Sequence, residues 1–181
     1  MVSALPPARA VFLDRDGVLV IPEFRDGRSF APTRLEEFRL YPAAADCVRR
    51  LKTAGFKLIV VTNQPDVGNG LVERAVVEAM HEELRATVPV DDIEVCYHAQ
   101  SDECECRKPK PGMLRRAAAR HGIDCNSSIM IGDRTTDVEA GQAVGCKTLY
   151  IDLGYREAQR IKPDLVVSSL QEATDIILTS A

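Results

Sequence analysis

Val11-Phe-Leu-Asp-Arg-Asp-Gly-Val-Leu19 decides the fold: an apolar run ends in two acids, Asp14 and Asp16, which flank an arginine and are followed by Gly17, a residue suited to a tight turn. A short continuous apolar run reads as a strand buried on both faces, the kind found in parallel sheets. Similar runs recur at 57–62, 93–97, 128–131, 148–151 and 165–167. Helical periodicity fills the intervals at 43–54, 71–87, 112–121, 136–144 and 170–178, with Gly55, Gly122 and Gly145 at expected helix stops. Strands alternating with helices imply right-handed crossovers and a doubly wound, Rossmann-like parallel α/β sheet. The 181 residues suit one domain spanning 1–181, large enough to build its core without disulfides or a partner subunit.

In such a sheet, ligands bind beyond the carboxyl ends of the strands. The residues standing there are Asp14 and Asp16, Thr62 and Asn63, His98 with its neighbouring cysteines and Lys108, and Asp133 with Asp137. Carboxylates converging from two strand ends repel one another, and a hard divalent cation such as Mg2+ relieves that repulsion and shields an incoming phosphate. An adjacent carboxylate can then attack phosphorus, which gives Asp14 the role of nucleophile. Asp16 is placed to protonate the leaving alcohol and then to activate water. Thr62 and Asn63 offer neutral hydrogen-bonding groups for phosphoryl oxygens, Lys108 a point charge, and Arg107 a planar fork for a second anionic group.

The composition narrows the partners. Net charge is −4 and charged residues make up 28%, with no basic stripe, so a small molecule is expected rather than nucleic acid. No apolar stretch reaches membrane-spanning length, and the amino terminus carries no basic region before an apolar run, so a cytoplasmic protein is expected. Of the six cysteines, Cys96, Cys104 and Cys106 gather with His98 within eleven residues, a donor set suited to tetrahedral zinc (Zn2+). With four protein ligands, that zinc has no position open for water and organises the loop 96–106. Cys47, Cys125 and Cys146 are scattered and read as small apolar residues. His81, on a charged helix, and His121, at a helix end, read as ordinary histidines with no catalytic role. The aperiodic segment 20–41 fits an inert loop or a substrate-facing flap equally well.

These motifs, in this order, resemble the haloacid dehalogenase superfamily of phosphohydrolases. The first motif stands as Asp14-Arg-Asp16-Gly-Val, the second as Thr62-Asn63-Gln64, the third as Lys108 within Arg107-Lys-Pro-Lys-Pro-Gly-Met113, and the fourth as Gly132-Asp133 with Asp137. The resemblance covers about 11–151. It implies that Asp14 is the nucleophile and Asp16 the general acid/base. It also implies that Asp14, the main-chain carbonyl of Asp16 and Asp133 hold Mg2+, with Asp137 supporting that shell. Only 45 residues, 17 to 61, lie between Asp16 and Thr62, and a similar stretch precedes Lys108, so no separate cap domain is expected. The zinc loop and the Arg-Lys-Pro-x-Pro-Gly-Met run resemble the zinc-bearing subgroup that contains heptose 1,7-bisphosphate 7-phosphatases, which serve the synthesis of nucleotide-activated heptose. Histidinol-phosphate phosphatases share the same zinc ligands and are the alternative, so the resemblance implies a small phosphorylated sugar or polyol as substrate. Asn69-Gly70 departs from the arginine that commonly precedes that glycine in the heptose enzymes. The complete set Asp14, Asp16, Lys108 and Asp133 argues against a silent zinc-organised binding module.

Overall fold

Four consecutive residues with no solvent exposure, Ala10–Leu13, form β1 at the middle of a six-stranded parallel sheet ordered β5-β4-β1-β6-β7-β8. The computed structural model describes residues 7–156 and 160–180. The other strands of the sheet are β4 (Lys57–Asn63), β5 (Asp92–Cys96), β6 (Ile129–Gly132), β7 (Lys147–Ile151) and β8 (Leu165–Val167). Alternate side chains of β1 serve two cores. Val11 and Leu13 pack toward α1 (Ala44–Thr53), α3 (Arg74–Thr87) and α6 (Leu170–Thr179), through Leu51, Met80 and Ile177 among others. Ala10 and Phe12 pack toward α4 (Gly112–His121) and α5 (Thr135–Gln142), through Met113, Leu114 and Ala140. This is the doubly wound sheet read from the apolar runs.

From β1 the chain moves outward in one direction through β4 and β5, then returns to β6 on the opposite side of β1. The reversal opens a crevice at the carboxyl ends of β1 and β6, the position where such sheets bind ligands. The acids that follow β1 and β6 therefore face each other across one gap.

The structure departs from the sequence reading in three places. The segment 20–41 contains an antiparallel hairpin, β2 (Glu23–Arg25) and β3 (Arg28–Phe30). Its residues are exposed or half-buried on both faces, so no period-2 apolar signal exists to announce it. The helix expected over 71–87 begins at Arg74, preceded by a separate short helix, α2 (Pro65–Gly68). His81 is wholly buried, a position that the overall charge of its helix does not announce. The two segments in which a cap would be inserted hold this hairpin and helices. No helix among the described residues is long and apolar enough to cross a membrane.

Leu51 has no solvent exposure and anchors α1 on the sheet. Leu51→Ala is expected to cost about 2–5 kcal/mol of unfolding free energy, read by chemical denaturation.

Candidate active site

Three carboxylates meet at the crevice. Asp14 follows β1, Asp133 follows β6, and Asp137 stands in the first turn of α5; oxygens of all three lie within 4.8 Å of one another. Two glycines make this approach possible. A Cβ on Gly17 would lie 2.0 Å from Asp133 Oδ2, and one on Gly132 would lie 2.2 Å from Asp137 Cβ. Gly17 also has φ +89°, which L side chains rarely adopt.

A single ammonium joins two of the acids. Lys108 Nζ lies 2.9 Å from Asp14 Oδ1 and 2.6 Å from Asp137 Oδ1, and donates to the Val61 carbonyl at 2.7 Å. Asp14, Asp133, Asp137 and Lys108 are all buried. Burial raises the Asp14 carboxyl to about 7, helped by Asp137 and opposed by Lys108. Burial also lifts Asp133 well above the carboxylate range, with Asp14 and Asp137 adding to the effect. For Lys108, burial works to lower the pKa, but Asp137 and Asp14 outweigh it and the net shift is upward. Three buried acids thus share one cation, and Asp133 Oδ1 is buried with no hydrogen-bond partner. A divalent ion bound by oxygen donors fits both facts.

The Asp14 oxygens differ. Oδ1 accepts from the Arg15 amide at 2.7 Å as well as contacting Lys108, whereas Oδ2 takes neither. Asp16 is half-buried and its Oδ2 accepts from Arg15 Nη2 at 3.0 Å and Gln64 Nε2 at 2.9 Å. Arg15 is itself fully buried, and its Nη1 lies 3.1 Å from His81 Nε2. Arginine has only donors, so Nε2 accepts and the proton sits on Nδ1. Burial, then Arg15, pushes His81 down to about 4, in keeping with that neutral ring. His81 therefore props the arginine that holds Asp16. Its signal was present in the sequence: Val77, Met80, His81 and Leu84 form one helical stripe, and all four are buried.

Thr62 and Asn63 stand at the end of β4 but are engaged by protein. Gln64 Nε2 donates to Thr62 Oγ1 at 2.9 Å, and Thr62 is fully buried. Asn63 Nδ2 donates to the Lys108 carbonyl at 3.0 Å, and its Oδ1 accepts from the Lys108 amide at 3.1 Å. Asn63 thereby clasps the Lys108 backbone while still lining the cavity. Arg107 lines the adjoining cavity, and its Nη1 is buried without a hydrogen-bond partner. That cavity, about 960 Å³, is also lined by Asp14, Asp16, Asn63 and Arg28 and Ser29 of the hairpin. The segment left open between inert loop and flap therefore forms part of the cavity wall. Tyr155, which the sequence reading did not single out, donates its hydroxyl to Asp133 Oδ2 at 2.7 Å.

Cys96, His98, Cys104 and Cys106 bring one donor atom each to a common point. Cys96 Sγ lies 3.1 Å from Cys106 Sγ, 3.7 Å from Cys104 Sγ and 3.6 Å from His98 Nδ1. A tetrahedral zinc with sulfur at about 2.3 Å separates its sulfurs by about 3.8 Å, a spacing that the Cys96–Cys104 pair matches and that the Cys96–Cys106 pair falls short of. The loop is tied to α3, since Tyr97 donates to Glu78 Oε1 at 2.7 Å and Arg74 lies over the Tyr97 ring. It runs directly into Arg107 and Lys108. Cys47 and Cys146 are buried and Cys125 half-buried, as apolar fillers would be, while His121 pairs with Asp92 at 2.8 Å.

Comparison with known proteins agrees with this geometry. A HAD-hydrolase-like family model matches residues 105–173. The D-glycero-beta-D-manno-heptose-1,7-bisphosphate 7-phosphatase of Pseudomonas aeruginosa is 38% identical over 149 residues, covering 80% of this chain and 81% of that protein. The histidine biosynthesis bifunctional protein HisB of Campylobacter jejuni is 30% identical, covering 92% of this chain but 47% of its own length. Among solved structures, the D,D-heptose 1,7-bisphosphate phosphatase of B. bronchiseptica, complexed with magnesium and phosphate, superposes with a TM-score of 0.83 at 28% identity and covers 96% of this chain and 99% of its own.

The raised Asp14 pKa has a defined sign. Between the ordinary value of 3.8 and about 7, the metal-free native state holds a proton that the unfolded chain has released. Native stability contributed by this group therefore falls as pH rises through that window. Thermal unfolding in chelator is expected to show the metal-free protein losing stability from pH 5 to pH 7, with a smaller loss in Asp14→Asn.

Proposed function

The chain belongs to the haloacid dehalogenase-like phosphatases and, within them, to the heptose-1,7-bisphosphate 7-phosphatases, and from that premise we propose that it removes the 7-phosphate of D-glycero-D-manno-heptose 1,7-bisphosphate. The observation that carries the chemistry is the buried cluster of Asp14, Asp133 and Asp137 around Lys108. Asp14, Asp133 and the main-chain carbonyl of Asp16 would hold Mg2+, with Asp137 in support. Bound there, the cation offsets the mutual repulsion of the carboxylates and the charge of the incoming phosphate.

Asp14 Oδ2 attacks phosphorus while Lys108 and the Arg15 amide hold Oδ1, so the carboxylate is oriented before substrate arrives. The phosphorus–oxygen bond to the sugar breaks as Asp16 gives its proton to the leaving alcohol. Water then attacks the aspartyl-phosphate at phosphorus, Asp16 takes its proton, and inorganic phosphate departs with Asp14 regenerated. For both transfers Asp16 turns from Arg15 and Gln64 toward the cavity it already lines, and His81 keeps the arginine in place. The unpartnered Nη1 of Arg107 receives the phosphate that is not cleaved. Asn63 contributes by holding the Lys108 backbone.

Zinc, held by Cys96, His98 Nδ1, Cys104 and Cys106, fixes the loop that presents Arg107 and Lys108. Its reduced thiolates favour a cytoplasmic setting. Every residue invoked comes from one chain, so the reading needs no partner subunit. The similarity to HisB supports histidinol phosphate as the second candidate substrate.

Phosphate release from heptose 1,7-bisphosphate is expected to exceed that from histidinol phosphate by orders of magnitude in kcat/KM, and Asp14→Asn is expected to abolish it. The opposite preference would overturn the substrate, and full activity in Asp14→Asn would overturn the nucleophile. Elemental analysis is expected to find about one zinc per chain, with Cys104→Ser losing it.

A further inference from the structure

Asp133 divides its two oxygens between different tasks. Oδ1 is buried without a hydrogen-bond partner, whereas Oδ2 accepts from the Tyr155 hydroxyl at 2.7 Å, and the carboxylate as a whole stands beside Asp14 and Asp137. A carboxylate with one oxygen tethered cannot rotate freely, so the other is held toward the acid cluster. The opposite side of Tyr155 meets the hairpin: its ring stacks on Phe24 of β2, with centroids 5.8 Å apart and planes at 21°. A second tie runs alongside. Arg134 lies over the Tyr155 ring, 5.5 Å from its centroid, and its Nη2 donates to the Ser29 carbonyl at 2.9 Å. The Arg156 amide, next in the chain, donates to the Gly27 carbonyl at 3.2 Å.

We propose that Tyr155 is a positioning residue with two ends, its hydroxyl aiming Asp133 at the metal and its ring bracing the Glu23–Phe30 hairpin over the cavity. The proposal rests on the magnesium reading above. It assigns a shared support to two parts of the site that lie far apart in sequence, so that loosening the tyrosine relaxes both. A tyrosine packed only to fill space would not explain a hydroxyl set 2.7 Å from a carboxylate oxygen of the acid cluster. Groups that orient a metal-binding carboxylate typically change metal affinity 10–100-fold when removed.

The test uses zinc-loaded protein, with Mg2+ titrated calorimetrically and the hairpin probed by trypsin at the exposed Arg25 and Arg28. Tyr155→Phe keeps the ring stacked on Phe24 and loses the hydroxyl with its contacts to Asp133 and Ser29, so it is expected to weaken Mg2+ binding by about 10–100-fold and to speed hairpin cleavage less than Phe24→Ala does. Phe24→Ala alters an exposed residue that leaves the hydroxyl in place, and it is expected to speed cleavage severalfold. Far-UV circular dichroism and Tm confirm that both variants are folded. Equal Mg2+ affinity in the parent and Tyr155→Phe overturns the aiming role, and unchanged cleavage in Phe24→Ala overturns the bracing role. Failure of the parent protein to bind Mg2+ overturns the magnesium reading itself, and the aiming role with it.

Discussion

Three buried carboxylates around one buried ammonium are the constraint on which the rest of this molecule depends. Asp14, Asp133 and Asp137 are 7%, 1% and 0% exposed, and Lys108 is 2% exposed. Unpaired negative charge in such a place is costly, and the raised Asp14 and Asp133 pKa values express that cost in the metal-free protein. The fold creates the problem deliberately, since β1 and β6 are neighbours at the point where the chain reverses direction. It also supplies the geometry that makes the problem useful: Gly17 and Gly132 let backbone and acid approach within distances that any side chain would forbid. A divalent cation and a phosphate together complete the charge balance that protein alone leaves open.

Lys108 and its neighbour Arg107 sit at the end of a loop that would be mobile without a tether. The cluster of Cys96, His98, Cys104 and Cys106, the Tyr97 hydrogen bond to α3 and the Asn63 clasp all bear on that loop. On the opposite wall the β2–β3 hairpin is tied down through Arg134, Tyr155 and the Arg156 amide. Both of these supported loops line the cavity, so they are placed to meet a substrate. On the function proposed above, an uncleaved phosphate held by Arg107 would give discrimination between substrates a physical basis, because Nη1 of that residue is buried without a hydrogen-bond partner.

The sheet was legible in the sequence because strands of a parallel sheet are buried on both faces and so are spelled as unbroken apolar runs, as at Ala10–Leu13. The residues gathered at the crevice were legible for the same reason, since each follows such a run. What escaped were features that tertiary contacts alone define. The β2–β3 hairpin carries three residues per strand and no buried face, so nothing in its pattern distinguishes it from loop. Tyr155 is a lone aromatic in a connection, and only the fold reveals that its hydroxyl meets Asp133. The residue types Thr62 and Asn63 were found, but their partners, Gln64 and the Lys108 backbone, could not be inferred from spacing. The burial of His81 was not read because its helix is charged overall, although Val77 and Leu84 mark the stripe on which it lies.

The central claim is that Asp14 becomes covalently phosphorylated. Mixing the protein with Mg2+ and heptose 1,7-bisphosphate, quenching within the first turnover, and reducing with borohydride converts an aspartyl-phosphate to homoserine, which peptide mass spectrometry locates. The account predicts homoserine at position 14, dependent on substrate and absent at Asp16, Asp133 and Asp137. Hydrolysis proceeding normally with aspartate intact at position 14 throughout the first turnover would contradict it.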